Sequence, residues 1–238
     1  SGVISGSGVL LKDTIDSVLT LTGLSTFNGG IDLDVGSIVI GNAGQLESGL
    51  FTGTLDIASG TSFLYSSSAT QTLSGVISGT GLIVKDSASS VLTLAGANSY
   101  NGAIDLDLGS LVIGAAGQLG LGDFTGAVDI GSGTSFQYAS SAEQTFAGVI
   151  SGAGLLLKET NSSALTLTAI NTHTGAIDLD VGSIVIGGAG QLESGSYTGA
   201  VDIATGATLQ YASSAEQTLA GVISGAGLLI KDTANSSL

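Results

Sequence analysis

The chain of 238 residues has no cysteine, proline, methionine, tryptophan or arginine. Without cysteine there are no disulfide staples and no thiolate metal sites. Four lysines stand against 19 acidic residues, a net charge of −15. Nucleic acids bind through lysine and arginine on their phosphates, so that partner class is excluded, and an anionic membrane surface is disfavoured for the same reason. Glycine, serine or a charge interrupts every apolar run well before the roughly 20 residues that cross a bilayer, so no membrane insertion of this segment is expected. No stretch of ten residues keeps helical spacing. What remains is 39 glycines and 43% hydrophobic residues, enough apolar matter to build a core.

The sequence Gly-Val-Ile-Ser-Gly opens at Gly2 and recurs at Gly75, Gly148 and Gly221, each step 73 residues with no insertion or deletion. The chain is read as one continuous repeat array over 1–238. Its units are 2–74, 75–147 and 148–220, with a partial unit 221–238. Because it breaks off in mid-unit, it is expected to be a window on a longer array. A unit this regular must stack on its own copy.

Within a unit, short alternating segments such as Ile31-Asp32-Leu33-Asp34-Val35, Ile38-Val39-Ile40 and Leu55-Asp56-Ile57 are separated by Gly, Ser, Asn and Asp, the signature of strands between turns. The fold class is all-β. Sandwich, barrel, propeller and solenoid all use such strands, but a blade of about 40–50 residues does not fit the 73-residue period, and a parallel β-solenoid (β-helix) does. Ile31-Asp32-Leu33 matches Leu55-Asp56-Ile57 at an offset of 24, which favours three coils of about 24 residues per unit over four of about 18. Three coils advance about 14–15 Å and four about 19 Å. Alternation places Val9, Leu11, Leu21, Ile31, Leu33, Val35, Ile40, Leu55, Ile57 and Phe63 inward. It turns Lys12 outward together with Leu10 and its copies Ile83, Leu156 and Leu229, an aliphatic row either covered by a loop or free for lateral contact.

The stretch from Ile77 to Gly114 contains Gly79 and Gly81 before Lys85, Leu92-Thr93-Leu94 leading to Gly96, Asn98-Ser99-Tyr100-Asn101-Gly102, and Gly109-Ser110-Leu111 closing on Gly114. It resembles the autotransporter-associated β-strand repeat of Gram-negative surface proteins, over about half of each unit. Ile104-Asp105-Leu106-Asp107 departs from the pattern, being more acidic than the Thr-rich segment of that family. The resemblance implies a right-handed β-solenoid passenger or fibre outside the cell, and no particular ligand.

Every candidate for chemistry has to be weighed against repetition. A catalyst needs one preorganised constellation, whereas nearly every polar residue here has a copy 73 residues away, so no enzymatic activity is expected. The lone His173 aligns with Phe27 and Tyr100 and reads as a packing position for a flat ring. Asp16 and Asp123 are acids without acidic copies, each isolated. Lys12, Lys85, Lys158 and Lys231 hold one position of the unit, and aligning coils suggests outward ion pairs of Lys12 with Asp34, Lys85 with Asp107 and Lys158 with Asp180. Asp32 over Asp56, Asp105 over Asp129 and Asp178 over Asp202 form an acidic ladder. Carboxylates one coil apart either stay solvated or share a hard cation such as Ca²⁺, although the Gly-Gly-x-Gly-x-Asp motif of calcium-binding solenoids is absent. Asn161-Ser162-Ser163 and Asn235-Ser236-Ser237 match a glycosylation pattern that the other copies lack. Leu19-Thr20-Leu21-Thr22 resembles a Thr-x-Thr row, but the second copy keeps only Thr93.

The sequence therefore points to an extracellular or cell-surface structural or adhesive element of a Gram-negative bacterium: a fibre, stalk, spacer or matrix component. The alternative is a repeat binding module, with acidic faces for Ca²⁺ or apolar stripes for a surface polysaccharide or a host or neighbouring-cell protein. Copies of the same chain, end to end or side by side, are the other expected partners.

Overall fold

Ile31–Ile40 shows how the sequence makes a coil. Ile31 and Leu33 point inward and are buried, and Asp34 points to solvent. Gly36 turns the chain at φ +81°, and Ile38 and Ile40 then fill the core from the next side. Val35 is only half-buried, because the strand has begun its corner there. The computed structural model describes residues 2–238, without the side chains of Asn161 and Ser162; the glycosylation match at Asn161 thus lies outside the described residues. It is an all-β parallel solenoid of about 10 turns. Short 3-10 turns at Glu47–Gly49, Gly120–Gly122 and Glu193–Gly195 replace strand once per unit.

Stacked strands follow one another in parallel register. Ile31 pairs with Leu55 and Leu55 with Ile77. Ile104, the copy of Ile31 in the next unit, is not in that column. It stacks on Ile83, which continues downward through Phe63 and Ile38 to Leu19 and upward through Val128 to Ile150. The third copy, Ile177, sits in yet another column, with Leu156, Phe136, Leu111 and Leu92 below it and Val201 and Ile223 above. Ile38 follows Ile31 on the adjacent side of the coil, so each unit advances by one side of a three-sided rod.

This corrects the expectation of three coils per unit. The 24-residue offset between Ile31 and Leu55 is real but belongs to one coil; elsewhere stacked partners are as near as Val18 and Ser37 or as far as Ser37 and Ser62. The average coil is shorter, and 73 residues make three and one third coils, ten strand positions distributed over three sides. With strands about 4.8 Å apart, a unit climbs about 16 Å and rotates by a third of a turn.

The inward assignments of Leu21, Ile31, Leu33, Ile40, Leu55, Ile57 and Phe63 agree with the structure, where all are buried. The strand holding Lys12 has the opposite parity to that expected. Leu10 faces the core, its copies Ile83 and Leu156 are fully buried, and Lys12, Lys85 and Lys158 are buried with them, whereas Val9 and Leu11 are exposed. The row Leu10, Ile83, Leu156 and Leu229 is therefore turned inward and is not a lateral stripe: Ile83 and Leu156 are core, Leu10 packs half-buried against it, and Leu229, in register with the buried Leu209 on the last coil, is exposed. The Thr-x-Thr resemblance ends after two coils, since Thr72 stacks on Thr93 but Thr93 meets Val112.

Two substitutions test this packing. Leu33 is fully buried, so Leu33→Asp places an unpaired charge in the core and should cost about 3–5 kcal/mol in denaturant unfolding. Gly109 has φ +83°, and a Cβ there would lie 2.2 Å from the Ser87 carbonyl oxygen; Gly133 has φ +81° and open space around it. Asparagine tolerates left-handed backbone, so Gly133→Asn should fold with little loss, while Gly109→Asn should lower the melting temperature markedly.

Candidate functional site

The acidic ladder forms in register. Asp32 pairs across coils with Asp56, Asp105 with Asp129, and Asp178 with Asp202, and the strand above each pair contributes a serine. Ser78 donates its hydroxyl proton to Asp56, Ser151 to Asp129 at 2.7 Å, and Ser224 to Asp202 at 2.6 Å. The lower acid of each pair has no such donor. Partial burial, reinforced by the neighbouring acids Asp34 and Asp56, Asp107 and Asp129, or Asp180 and Asp202, pushes Asp32, Asp105 and Asp178 above the usual carboxylate range. One oxygen of Asp178 is enclosed without a hydrogen-bond partner.

Because each unit rotates, the three pairs face three directions and no continuous acidic stripe runs along the rod. Two stacked carboxylates could share a cation, but among the described residues no three acids or histidines converge on one point. That falls short of the six to eight oxygens Ca²⁺ prefers, so the balance would have to come from solvent or another molecule.

The lysines lie elsewhere, which corrects the expected pairs Lys12–Asp34, Lys85–Asp107 and Lys158–Asp180. Where Lys12 sits, the strand Leu10–Leu21 slips register: Asp13 faces Val35 and Val18 faces Ser37, so Thr14–Ser17 bulge outward against the single residue Gly36. A bulge takes carbonyls out of the ladder, and buried carbonyls need donors. The ammonium supplies them. Lys12 Nζ donates to the carbonyls of Thr14 and, at 3.0 Å, Val35; Lys85 to those of Ser87 and, at 3.2 Å, Leu108; Lys158 to the carbonyl of Thr160 and to its hydroxyl at 3.2 Å. Lys231 repeats the arrangement on Thr233. Beneath three of these ammonium groups lie the Tyr65, Tyr138 and Tyr211 rings, with centroids 6.0, 5.6 and 5.8 Å away, within range of a cation–π attraction. Burial lowers Lys85 and Lys158 to about 8.

Other buried polar residues do the same work. Gln71 accepts from the Leu46 amide at 2.9 Å and donates to the Leu46 carbonyl at 3.2 Å, bridging the coil where the 3-10 turn interrupts the ladder. Gln144 and Gln217 repeat this on Leu119 and Leu192. Asn98 and Asn171 accept from the amides of Ile77 and Ile150. Asn98 enters the sequence reading only as part of the family pattern; the glutamines do not enter it at all, although Gln-Thr at 71, 144 and 217 recurs in every unit. Asp16 is exposed in left-handed backbone at φ 55° and Asp123 is exposed beside the 3-10 turn, and neither adjoins a second functional group of the set above. His173 is buried as a ring in the core.

Comparison with protein-family models, curated proteins and solved structures finds no match in any of the three. The architecture thus rests on this chain's own geometry.

The ladder and the corner each make a prediction. Asp105→Asn removes a like charge facing Asp129 and should stabilise the fold by roughly 0.2–1 kcal/mol at pH 7. The gain should vanish in acid, because a raised carboxylate penalises the folded state only once pH has climbed through its titration range. For the lysines, the folded value of about 8 lies below the roughly 10.4 of an unfolded lysine. Between these limits the unfolded chain holds more protons, so stability from this source rises with pH. The difference in unfolding free energy between wild type and Lys85→Met plus Lys158→Met should therefore shift in favour of wild type from pH 8 to pH 10. A pH-independent difference would contradict buried, titrating lysines.

Proposed function

We propose that this chain is a structural rod: an extracellular or cell-surface β-solenoid acting as fibre, stalk or spacer, with no catalytic role. The observation that carries this reading is the one-third turn between units. Every surface feature of the unit appears on each side of the rod in turn, so the molecule offers length and stiffness with no differentiated face. The resemblance of Ile77–Gly114 to the autotransporter-associated repeat supports an exported setting, and the absence of arginine and the net charge of −15 are compatible with a solvated surface element. No helix of the described residues is long and apolar enough to cross a membrane.

The alternative, a binding module for Ca²⁺ or for a polysaccharide or protein partner, draws on the in-register acidic pairs. One experiment separates the two. Thermal unfolding and light scattering are measured in millimolar Ca²⁺, in NaCl of equal ionic strength, and for a variant with Asp32, Asp56, Asp105, Asp129, Asp178 and Asp202 changed to Asn. For a plain rod, Ca²⁺ and matched NaCl act alike, since the Debye length is already about 8 Å at 0.15 M salt. A Ca²⁺-specific rise in melting temperature or in scattering, lost in the Asn variant, would replace the structural reading with the binding one. In parallel, arrays of three, six and nine units should lengthen in small-angle scattering by about 16 Å per unit.

A further inference from the structure

One core position holds a different ring in each unit: Phe27, Tyr100 and His173. All three are buried and stack on the ring one coil above, Phe51, Phe124 and Tyr197, with centroids 6.3, 6.3 and 6.4 Å apart. Phenylalanine asks nothing more of its surroundings. The Tyr100 hydroxyl is fully satisfied: it accepts from the Ile83 amide at 3.2 Å and lies 2.7 Å from the Gly81 carbonyl oxygen and 2.5 Å from that of Ala103. His173 reaches the equivalent carbonyl, Gly154, with Nε2 at 2.9 Å. A carbonyl can only accept, so Nε2 carries the proton and Nδ1 of the neutral ring is a bare lone pair. Nδ1 is buried with no hydrogen-bond partner, on a side chain 1% exposed. A second proton there would create a cation in the apolar core with an N–H that nothing accepts.

Burial outweighs the two groups around it that favour a charged ring, the Gly154 carbonyl and the Glu193 carboxylate. On the coil above, Tyr197 gives its hydroxyl proton to the Gly175 carbonyl, and Glu193 is engaged by the amide and hydroxyl of Thr198 at 2.6 and 2.8 Å. The segment below, Ile150–Gly154, has no ionisable side chain. On the strand that follows it, the Lys158 ammonium is held by Thr160 and the Glu159 carboxylate by Gln137.

We propose that His173 makes the third unit an acid-opened joint in a rod whose first two units, with Phe27 and Tyr100, lack one. The closed coil excludes the proton; the open coil accepts it, so acid pulls the equilibrium toward the open form. Burial lowers the proton affinity of the folded imidazole, which fixes the sign. The contribution to stability is complete above about pH 6.5, where the unfolded ring is neutral, and declines as pH falls below it, by up to about tenfold in the opening constant per pH unit.

Hydrogen exchange from pH 7.5 to 4.5, corrected for the intrinsic pH dependence of exchange, reads this directly. The informative amides are Thr172, His173 and Thr174, bonded to Ile150 and Gly152, against the second-unit amides of Asn98 and Asn101, bonded to Gln118 and Gly79. In wild type, opening of the third unit should rise by up to about tenfold per pH unit below 6.5 while the second unit does not follow. His173→Tyr, which recreates the Tyr100 arrangement, should abolish the difference, and Tyr100→His should install it in the second unit. Parallel loss of protection in both units, or acid opening that survives in His173→Tyr, overturns the proposal. Should Tyr100→His fail to fold, the wild type and His173→Tyr decide between these outcomes by themselves.

Discussion

The backbone ladder between coils is the constraint on which everything else depends. Parallel strands hydrogen-bond only to strands directly above and below, so each side of the rod must carry a pairable segment at every level. Ten segments per unit on three sides cannot close in whole coils, and the remainder appears as rotation. The consequence reaches the side chains. With a whole number of coils, each column would stack a few positions over and over, and any outward acid would recur at short intervals on one side. With the rotation, a column passes through the positions of the unit in sequence: outward in the second column, Val84 is followed by Asp105, Asp129 and Ser151. Like charge is limited to a run of two and closed by a hydroxyl. Inward, the same progression sets Phe63 between Ile38 and Ile83 and Phe136 between Leu111 and Leu156, so in these columns a ring packs between aliphatics and not on another ring.

Unequal coils need corners that absorb the surplus, and surplus residues leave the ladder. Each departure exposes carbonyls or amides to the apolar interior, where an unmade hydrogen bond costs about 1–3 kcal/mol. The unit answers with side chains of matching reach. Lysine spans the bulge at Thr14–Ser17 and its copies, glutamine replaces a strand edge at the 3-10 turn, and asparagine does so at Ile77 and Ile150. The solutions are local and can be exchanged. In the first and third units Glu47 and Glu193 accept from the amides of Thr52 and Thr198; in the second, where glycine stands at 120, Asn101 from the coil below accepts from Thr125 at 3.0 Å instead. What persists is the accepted hydrogen bond, not the residue that accepts it.

The solenoid and its repeat were legible because period-two alternation and a 73-residue step are properties of the whole chain. The parity of Ile31–Ile40 was legible for a related reason: aspartates alternate with aliphatics, and only one register buries the latter. The segment Val9-Leu10-Leu11-Lys12 offered no such asymmetry. Either register buries aliphatics there, and the charge on Lys12 decided the reading wrongly, because a bulge four residues long had already supplied acceptors inside. The usable signal was invariance within the chain: a single cation kept at the same position in all four copies, always between an aliphatic pair and an acid. Coil number failed similarly. One 24-residue match was extended to the unit, although nothing in a local match constrains the coils that lack one.

Rotation also determines where individuality can reside. Inward positions are held by neighbours in other classes of the unit, so a change in one copy is felt by two unlike residues, and the core positions differ little between copies: Ile31, Ile104 and Ile177, or Leu33, Leu106 and Leu179. Among the described residues, the tips of the bulges are exposed. There Ile15 gives way to Ala88 and Ala234, and Asp16 to Ser89 and Asn235. His173 is the exception, a polar variant admitted to an inward position because its ring preserves the stack and one nitrogen preserves the hydrogen bond to the coil below. The shape of the site was satisfied while its chemistry was not, and that leaves a titratable group in the core of an otherwise repetitive rod.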